Sequence, residues 1–401
     1  MHIVIFKIQK FPDSSASSHR FECYIKGFNQ NHIRVSLISC STQNKCTNYM
    51  NYLGADIYYP FIQIKSKKWI SRQINKLYGR LWGLYKLLNI IKNDYVDCLI
   101  VGDNNDLLEY IIILICKYNN ILVLRELSEH PEIHYYNKNI IIQNIIYKNT
   151  MFIKYRLYDG LLLMTNELRN LFISKGFAFN KIKIIPQTVD IDRFTDIEMI
   201  NENNAKIIIT YMGSLNNRKD GILTLIRTMN TVKKKYPNII LYVIGGGSDK
   251  ELKLIKNLTN KLELSNNINL IGWVDQINLP KYLFSSKILI SCRPFSTQAK
   301  YGFPTKIVEY LASGKPVITT AYGDLKNYLK DGENAYIINE NNPDRIAENI
   351  IYVLNNYSDA LNVGKRGRES VIKYFNPSNQ TKQILDFIEE LKTHQHTKYY
   401  K

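Results

Sequence analysis

Short apolar runs alternate with longer amphipathic stretches along most of the chain. In the first half these runs predict strands at Ile3–Phe6, Arg34–Ser39, Asp97–Val101, Ile121–Leu124, Leu161–Met164 and Lys183–Pro186. In the second half they predict strands at Lys206–Met212, Ile239–Ile244, Ile268–Ile271, Lys287–Ser291 and Pro316–Thr320. Continuous apolar strands separated by helices are typical of parallel sheets that are covered on both faces. The pattern therefore predicts a doubly wound α/β architecture that occurs twice in the chain.

The boundary between the two halves is predicted in Asp190–Ala205, a polar stretch that contains Asn-Glu-Asn-Asn. We expect a Rossmann-like domain over residues 1–190, a linker over 191–205 and a second Rossmann-like domain over 206–375. A turn at Asn376-Pro377 precedes a last predicted helix, Ser378 to Lys392.

Composition agrees with two globular domains and adds a strong positive charge. The 401 residues suffice for two cores, and 45% hydrophobic with 22% charged residues is typical of globular proteins. The net charge is +18, from 53 Lys and Arg against 35 Asp and Glu. Such an excess favours polyanionic partners, namely nucleic acid, an anionic membrane surface or phosphorylated ligands.

Cysteine usage and the N-terminus indicate a cytoplasmic protein. The N-terminus enters a strand directly and lacks the charged-then-apolar plan of a signal peptide. The most apolar run, Tyr110 to Cys116, is far too short to cross a bilayer. No CxxC pair or metal-ligand spacing occurs, so we expect reduced core thiols at all six cysteines, which are Cys23, Cys40, Cys46, Cys98, Cys116 and Cys292. The protein is therefore expected to be soluble or peripheral at a membrane.

The most informative motif runs from Tyr301 to Ile318 and reads YGFPTKIVEYLASGKPVI. Gly302 permits close backbone approach, and Pro304 suits the first position of a helix. Gly314 and Pro316 end that helix before the next strand. A helix that starts at the carboxyl edge of a parallel sheet offers free N–H groups and a positive dipole end, which suit a diphosphate.

Within this helix, Thr305 and Glu309 lie four residues apart and share one face. Glu309 is therefore a candidate to accept hydrogen bonds from ribose hydroxyls. The alternative is an ordinary strand–helix unit in which Glu309 is merely solvated.

A second strand–loop–helix segment, Tyr211 to Gly221, contains the basic pair Arg218 and Lys219. These side chains would neutralise donor phosphates and stabilise the charge that develops on the leaving group. A solvated basic pair in a turn is the alternative interpretation.

A third segment, Gly245-Gly246-Gly247, follows a predicted strand and precedes a capping box formed by Ser248 and Glu251. The glycines could let a nucleotide approach the backbone, or they could serve the turn alone. The pattern G-x-G-x-x-G is absent from this turn, which argues against a dinucleotide site.

These three motifs occur in an order that resembles the family-4 class of retaining glycosyltransferases over Tyr211 to Phe375. Ile184–Phe194 is similar to the interdomain signature of that family, and the segment after Phe375 is similar to its returning helix. The resemblance implies the GT-B fold, in which two Rossmann-like domains face each other across a cleft and residues 376–392 join the N-terminal domain. It also implies hexosyl transfer from a nucleotide-sugar with retention of anomeric configuration.

By the resemblance, Lys219 matches the donor-phosphate lysine and Glu309 the second glutamate of an E-x7-E motif. Tyr301 stands where the first glutamate is usual, and Ser214 stands where an arginine is usual. Arg218 or Lys306 is then the candidate for the missing positive charge. The expected donor-binding set comprises Gly213, Ser214, Arg218, Lys219, Gly245, Gly246, Tyr301, Gly302, Phe303, Pro304, Thr305, Lys306 and Glu309.

The first loop of the N-terminal half, Pro12–Arg20, replaces the Gly-Gly turn that is usual in the family. Its small residues Ser15, Ala16 and Ser17 would let backbone amides meet the donor phosphates or the acceptor. Arg20 would point the same way or lie on a helix surface.

The segment Arg125–Pro131 follows the fourth predicted strand, where similar enzymes place a histidine or carboxylate that faces the acceptor. Such a group can orient the acceptor hydroxyl or accept its proton. The candidates are Glu126, Glu129 and His130.

Asp190 and Asp192 form a D-x-D pattern, which binds metal in another glycosyltransferase fold. In an interdomain segment it is expected to form a turn or cap. We expect no bound metal and no cofactor other than the nucleotide-sugar donor.

The region Phe61–Lys92 contains eight Lys or Arg residues and no acid. Its apolar residues recur at helical spacing as a seam of Ile70, Ile74, Leu77, Leu81, Leu84, Leu88 and Ile91. An interfacial helix on anionic lipid would use this surface with the basic residues Lys65, Lys67, Lys68, Arg72, Lys76 and Arg80. Alternatively, the seam packs on the sheet and the charges face water.

The leading hypothesis is a glycosyltransferase that acts on a polyprenyl-diphosphate-linked or otherwise membrane-proximal glycan in surface polysaccharide synthesis. A nucleotide-sugar epimerase of the same fold is the alternative enzyme class. A basic nucleic-acid-binding protein is the non-enzymatic alternative, but no recognition motif supports it, so nucleic acid is not an expected partner.

Overall fold

In a computed structural model the chain divides into two compact units, Met1–Pro186 with Pro377–Lys401 and Gln187–Asn376. The structure describes residues 1–13, 15–41, 47–60, 69–102, 107–131, 152–195 and 206–399, with side chains up to residue 393. Most of the predicted linker, residues 196–205, lies outside the described residues. Each unit contains a sheet with helices on its faces.

The described part of the N-terminal unit has an eight-stranded sheet with the order β3-β4-β2-β1-β5-β6-β7-β8. Its pairs are parallel except for β3 with β4. The strands are β1 His2–Lys7, β2 Arg34–Ser39, β3 Tyr49–Tyr52, β4 Ala55–Tyr58, β5 Cys98–Val101, β6 Leu122–Leu127, β7 Gly160–Leu163 and β8 Ile182–Ile184. The helices described here are α1 Ala16–Gln30, α2 Trp69–Asn93, α3 Leu108–Tyr118 and α4 Asn166–Ser174, with α13 Pro377–Tyr399 returning from the chain end.

Opposite faces of this sheet carry different helices. Right-handed crossovers place α1 on one face and α2 and α3 on the other, because β1→β2 and β4→β5→β6 run in opposite directions along the sheet. On the first face, α13 packs against α1, and Gly27 lies so close to Pro377 that a Cβ there would overlap with it. On the second face, Gly83 of α2 lies against Phe6 of β1.

The C-terminal unit has, within its described residues, a six-stranded parallel sheet with the order β11-β10-β9-β12-β13-β14. The strands are β9 Ile207–Met212, β10 Ile239–Ile244, β11 Ile268–Gly272, β12 Ile288–Ser291, β13 Val317–Thr320 and β14 Tyr336–Ile338. The helices are α5 Asn217–Asp220, α6 Ile222–Lys235, α7 Asp249–Lys261, α8 Leu279–Ser285, α9 Thr297–Tyr301, α10 Thr305–Ala312, α11 Pro343–Asn355 and α12 Tyr357–Tyr374. This strand order is that of a Rossmann fold, whose direction reverses between β9 and β12.

The strands predicted from the apolar runs are all present, with limits that differ by at most three residues. Three short strands were missed: β3 and β4, which form a hairpin, and β14. The hairpin turns at Leu53 and Gly54, which both have positive φ, and β3 alternates exposed with half-buried residues. Such an edge strand lacks the continuous apolar run on which the prediction relied. The last helix begins one residue before, and ends seven residues after, its predicted limits.

The helix α2 contradicts the interpretation that its apolar seam packs on the sheet. Five members of the predicted seam are exposed, with Ile70 at 63% and Leu81 at 58% among them. The residues that α2 buries are instead Gly79, Gly83, Leu87 and Ile90. Lys65, Lys67 and Lys68 lie outside the described residues.

Five cysteines lie in the described residues, and each is free and buried. Burial raises the pKa of the Cys116 and Cys292 thiols to about 12. The expectation of reduced core thiols is confirmed for these five, whereas Cys46 lies outside the described residues. No helix in the described part of the chain is both long and apolar enough to cross a bilayer.

Candidate active site

An open cavity of about 550 Å³ lies in the C-terminal unit where the chain leaves β9 and β12. Parallel α/β sheets bind ligands at such a reversal of strand order, beyond the carboxyl ends of the strands. The volume is in the range of small-molecule sites. The lining residues follow these two strands and are Ser214, Asn216, Arg218, Lys219, Ser296, Thr297 and Gln298.

The loop after β9 is organised by Asn216. Its Oδ1 accepts a hydrogen bond from the Lys219 N–H at 3.1 Å, which caps the single-turn helix α5. Its Nδ2 donates to Glu251 Oε1 at 2.8 Å, which attaches the loop to α7. This arrangement leaves Arg218 and Lys219 exposed at the cavity. The structure therefore places the predicted basic pair on the cavity wall.

Two glycines allow this loop to meet the turn after β10. Gly213 and Gly245 have φ values of +147° and +128°, which favour glycine. A Cβ on Gly245 would overlap with the Gly213 carbonyl oxygen. Leu215 N–H donates to the Gly246 carbonyl at 3.1 Å, which ties the two segments together. In the structure these glycines therefore let the loop after β9 pack closely against the turn after β10.

The predicted capping box at the start of α7 is confirmed. The Ser248 N–H donates to Glu251 Oε2 at 2.8 Å, and the Glu251 N–H donates back to the Ser248 hydroxyl. These bonds to Ser248 lower the pKa of the Glu251 carboxyl. Glu251 thus serves α7 and the loop after β9 together.

Lys306 forms a nearly buried ion pair with Asp220 in the same unit. Its Nζ lies 2.6 Å from Asp220 Oδ1, and the two side chains are 12% and 3% exposed. The Nζ also lies 4.8 Å from the centre of the Tyr211 ring and occupies the space that a Cβ on Gly213 would take. Of the two candidates for the missing charge, Lys306 lies against the Gly213 backbone, whereas Arg218 lines the cavity.

The surroundings of Lys306 shift the pKa of its ammonium group in both directions. Burial lowers the pKa of the ammonium group, and the neighbouring Arg293 and Lys219 lower it further. Asp220 acts in the opposite sense, through its charge and its hydrogen bond. Asp220 was missed, because a carboxylate beside two basic residues in a turn looks solvated when only the sequence is known.

Glu309 is nearly buried and paired with a cation. Its Oε1 lies 3.1 Å from Nη1 of Arg193, and Nη2 of Arg193 donates to the Gln276 carbonyl at 3.1 Å. The interpretation of Glu309 as a solvated residue is therefore wrong. Arg193 was missed, although it lies in the interdomain signature. Pro304 occupies the N-cap position of α10, so its predicted place as the first helical residue is also wrong.

The residues before α10 differ from the expected arrangement. A further short helix, α9, ends at Tyr301, and its N-cap Ser296 accepts a hydrogen bond from the Ala299 N–H at 3.1 Å. The ring of Phe303 is 6% exposed and packs on Tyr328 and Phe375. The Phe303 side chain thus packs among the aromatic residues of the core. Ser296–Gln298 line the cavity and were missed, since so short a helix leaves no periodic signal.

In the N-terminal unit, Arg20 and Glu126 form a buried ion pair. The Nε of Arg20 lies 2.7 Å from Glu126 Oε1, and the guanidinium also donates to the Ile185 and Pro186 carbonyls. The side chains are 1% and 2% exposed. Both expectations for Arg20, a surface position or one facing a ligand, are therefore wrong.

The Arg20–Glu126 pair distinguishes Glu126 from the other two acceptor-side candidates. Glu126 belongs to strand β6 and has its charge compensated, which makes it the least suited of the three to accept a proton. Glu129 is half-buried and His130 is buried in the segment that follows β6.

The small residues of the first N-terminal loop start α1. The hydroxyl of Ser15 caps the helix by accepting from the Ser18 N–H at 3.1 Å, and Ala16 is its first residue. The hydroxyl of Ser17 accepts from Nζ of the buried Lys7 at 2.8 Å. Lys7 was missed because it lies within an apolar strand.

The D-x-D pattern forms a cap, as expected. Asp190 Oδ1 accepts a hydrogen bond from the Asp192 N–H at 3.1 Å at the start of a short 3-10 helix, Ile191–Phe194.

Comparison with known proteins bears on both units. Residues 192–370 match the family model described as "Glycosyl transferases group 1". An uncharacterized glycosyltransferase of Methanocaldococcus jannaschii is 30% identical over 249 residues, which cover 59% of this chain but only 58% of that relative. An uncharacterized glycosyltransferase of Haemophilus influenzae is 24% identical over 315 residues, covering 77% of this chain and 82% of that relative.

Among solved structures, the Anabaena protein HepE in complex with UDP is similar with a TM-score of 0.66 and 13% identity. The match covers 97% of this chain and 100% of that one, which extends the likeness in fold to both units. The chain thus has the two Rossmann-like sheets of the GT-B fold, and over residues 192–370 it is similar to the group 1 glycosyltransferases.

Proposed function

We propose that the protein is a glycosyltransferase that moves a sugar from a nucleotide-sugar donor to a glycan acceptor. The observation that carries this proposal is the cavity after β9 and β12, where Arg218 and Lys219 are exposed within the part of the chain that the family model matches. Two cations at the reversal point of a Rossmann sheet suit the diphosphate of such a donor. The complex of HepE with UDP supports a donor of this class.

In this proposal the cations act on the leaving group. As the sugar departs, negative charge develops on the nucleoside diphosphate, and cations already in place stabilise it without reorganisation. Lys219 and Arg218 provide exposed charge, whereas Lys306 provides a charge held by Asp220 against the Gly213 loop. Glu309 is proposed to accept hydrogen bonds from the ribose while Arg193 holds its carboxylate. Transfer is proposed to retain anomeric configuration and to need no metal.

The acceptor is proposed to be a membrane-proximal glycan, such as one linked to polyprenyl diphosphate, used in surface polysaccharide synthesis. Glu129 or His130, after β6, would orient the acceptor hydroxyl or accept its proton. The net charge of +18 supports a position at the anionic inner face of the plasma membrane.

The donor class can be tested by thermal unfolding of the full chain with UDP-, GDP- and CMP-sugars. Binding to the native state alone raises the melting temperature, so one nucleotide class should raise it in a concentration-dependent way. Absence of a shift with every nucleotide-sugar, together with no release of free UDP, GDP or CMP, would overturn the proposal.

A further inference from the structure

The helix α2 exposes a continuous apolar stripe to its surroundings. The stripe consists of Ile70, Ile74, Leu77, Leu81, Tyr85 and Leu88, which recur at helical spacing and therefore share one face. Each is between 47% and 65% exposed. Six large apolar side chains on one exposed helix face exceed the scattered apolar residues that ordinary surfaces carry.

The packing of α2 shows why the stripe is not used by the sheet. A Cβ on Gly79 would overlap with the Cys40 carbonyl oxygen, and a Cβ on Gly83 would lie 3.0 Å from the Phe6 ring. These glycines lie on the side of the helix opposite the stripe. The helix thus approaches the sheet through its glycines and directs its large apolar residues outward.

The helix α3 also exposes large apolar residues on this side of the sheet. It covers the same face of the sheet, and its Ile111, Leu114 and Tyr118 are 47%, 67% and 88% exposed. These three residues also share one face of their helix. We call the exposed apolar residues of both helices the α2–α3 surface.

The charges on these helices favour an anionic lipid surface over a second copy of the chain as the partner. Helix α2 contains no acid, and Lys92 is exposed at the end of its stripe. The one acid of α3, Glu109, is buried and paired with Lys154 Nζ at 3.1 Å, whereas Lys117 beside its apolar face is exposed. Two copies of these helices would bring lysines together, and neither helix, both of which are fully described, has an exposed carboxylate to place between them. An anionic lipid bilayer offers both an apolar interior and negative headgroups.

We propose that the α2–α3 surface docks on an anionic lipid bilayer, with the apolar stripe among the acyl chains and Lys92 and Lys117 near the headgroup phosphates. This inference rests on the membrane-proximal acceptor of the proposed function and identifies the surface that would hold the enzyme there. Arg72 and Lys76 lie on the side of α2 away from the stripe, so they contribute less than the sequence suggested.

The test is co-sedimentation of the full chain with vesicles of phosphatidylcholine alone and of phosphatidylcholine mixed with phosphatidylglycerol. Leu77→Ser/Leu81→Ser should lower partitioning onto the mixed vesicles by about tenfold or more, since each leucine loses the transfer free energy of its exposed part. Lys92→Gln/Lys117→Gln should weaken binding on the mixed vesicles only, and should reduce its dependence on salt.

The matched control is Leu254→Ser/Ile372→Ser in the C-terminal unit, where the replaced side chains are 48% and 49% exposed. It should bind vesicles as the wild type does. Equal binding by the Leu77/Leu81 variant would overturn the inference, as would a wild type that ignores vesicles. A lipid-free dimer that this variant dissociates would also overturn it, because the surface would then join two copies.

Donor binding is measured on the same variants by the shift in melting temperature. A retained nucleotide-sugar shift with no vesicle binding defeats the docking inference alone. Vesicle binding without any nucleotide-sugar shift defeats the proposed transferase function alone.

Discussion

At the scale of single residues, the cations near the β9 loop differ in how far the protein compensates them. Arg218 and Lys219 are exposed, whereas Lys306 is paired with Asp220 and largely shielded from water. An exposed cation can change partners at little cost, but a buried one depends on its carboxylate. Asp220 is therefore expected to decide over which pH range Lys306 is charged.

Asp220→Asn tests this dependence. The pKa of the Lys306 ammonium is already lowered by burial, and Asp220 raises it. Removing that charge lowers the pKa further, so the charge is lost earlier as pH rises. Donor affinity should fall on the alkaline side at a pH roughly one to three units lower than in the wild type. Titration of donor affinity against pH checks this, with the exposed Asp249→Asn as control. If the donor affinities of the wild type and of Asp220→Asn fall at the same alkaline pH, Asp220 does not maintain the charge of Lys306.

Substitution of the two acceptor-side carboxylates, Glu126 and Glu129, should have different effects on stability and on turnover. Glu126→Gln leaves Arg20 buried without its counter-charge, which costs about 3–5 kcal/mol of unfolding free energy. Glu129→Gln should lower kcat with little change in melting temperature or donor affinity. Turnover and thermal unfolding of both variants check this. Full turnover in both would leave His130 as the remaining candidate of the three, and a stable but inactive Glu126→Gln would make Glu126 the proton acceptor.

At the scale of elements, the parallel strands could be predicted and the short elements could not. Strands such as β1 and β10 are buried on both faces, so each appears as a continuous apolar run. The hairpin β3–β4 alternates at a sheet edge, and α5 and α9 are too short for a helical period. Site residues could be predicted only where they belong to a sequence motif, as Lys219 does. Asp220 and Arg193 depend on tertiary pairing, which no local pattern records.

The turn after β10 offers a sharp test of how elements form the site. A Cβ on Gly245 would overlap with the Gly213 carbonyl at a φ of +128°, whereas a Cβ on Gly246 would meet nothing within 4 Å. Gly245→Ala should therefore lower stability by about 1–3 kcal/mol through backbone strain, and should weaken donor binding. Gly246→Ala is the matched control for the change in stability. Indistinguishable melting temperatures and donor affinities would show that the contact between the two loops is dispensable.

At the scale of the whole molecule, the two Rossmann-like units carry different functional features. The C-terminal unit carries the cavity with its cations, and the family model lies within it. The N-terminal unit carries the Arg20–Glu126 pair and the exposed α2–α3 surface. The proposed function accordingly assigns the donor site to the C-terminal unit and the acceptor-side and membrane contacts to the N-terminal unit.

Metal independence is a prediction about the complete reaction. If Lys219, Arg218 and Lys306 neutralise the donor diphosphate, transfer should continue in EDTA at the untreated rate. The measurement is the rate of nucleoside diphosphate release before and after chelation. A loss of rate that magnesium or manganese restores would show that a cation shares this role.

The cavity after β9 and β12 is proposed to bind a nucleotide-sugar, whose sugar the enzyme then transfers. The most direct measurement is acceptor-dependent release of nucleoside diphosphate by Lys219→Ala, compared with Lys234→Ala, an exposed lysine of α6 in the same unit. Loss of one transition-state cation should lower the rate about 100-fold or more, with the fold retained. We expect this loss in Lys219→Ala and an unchanged rate in Lys234→Ala. A folded Lys219→Ala protein that turns over at the wild-type rate would contradict the account.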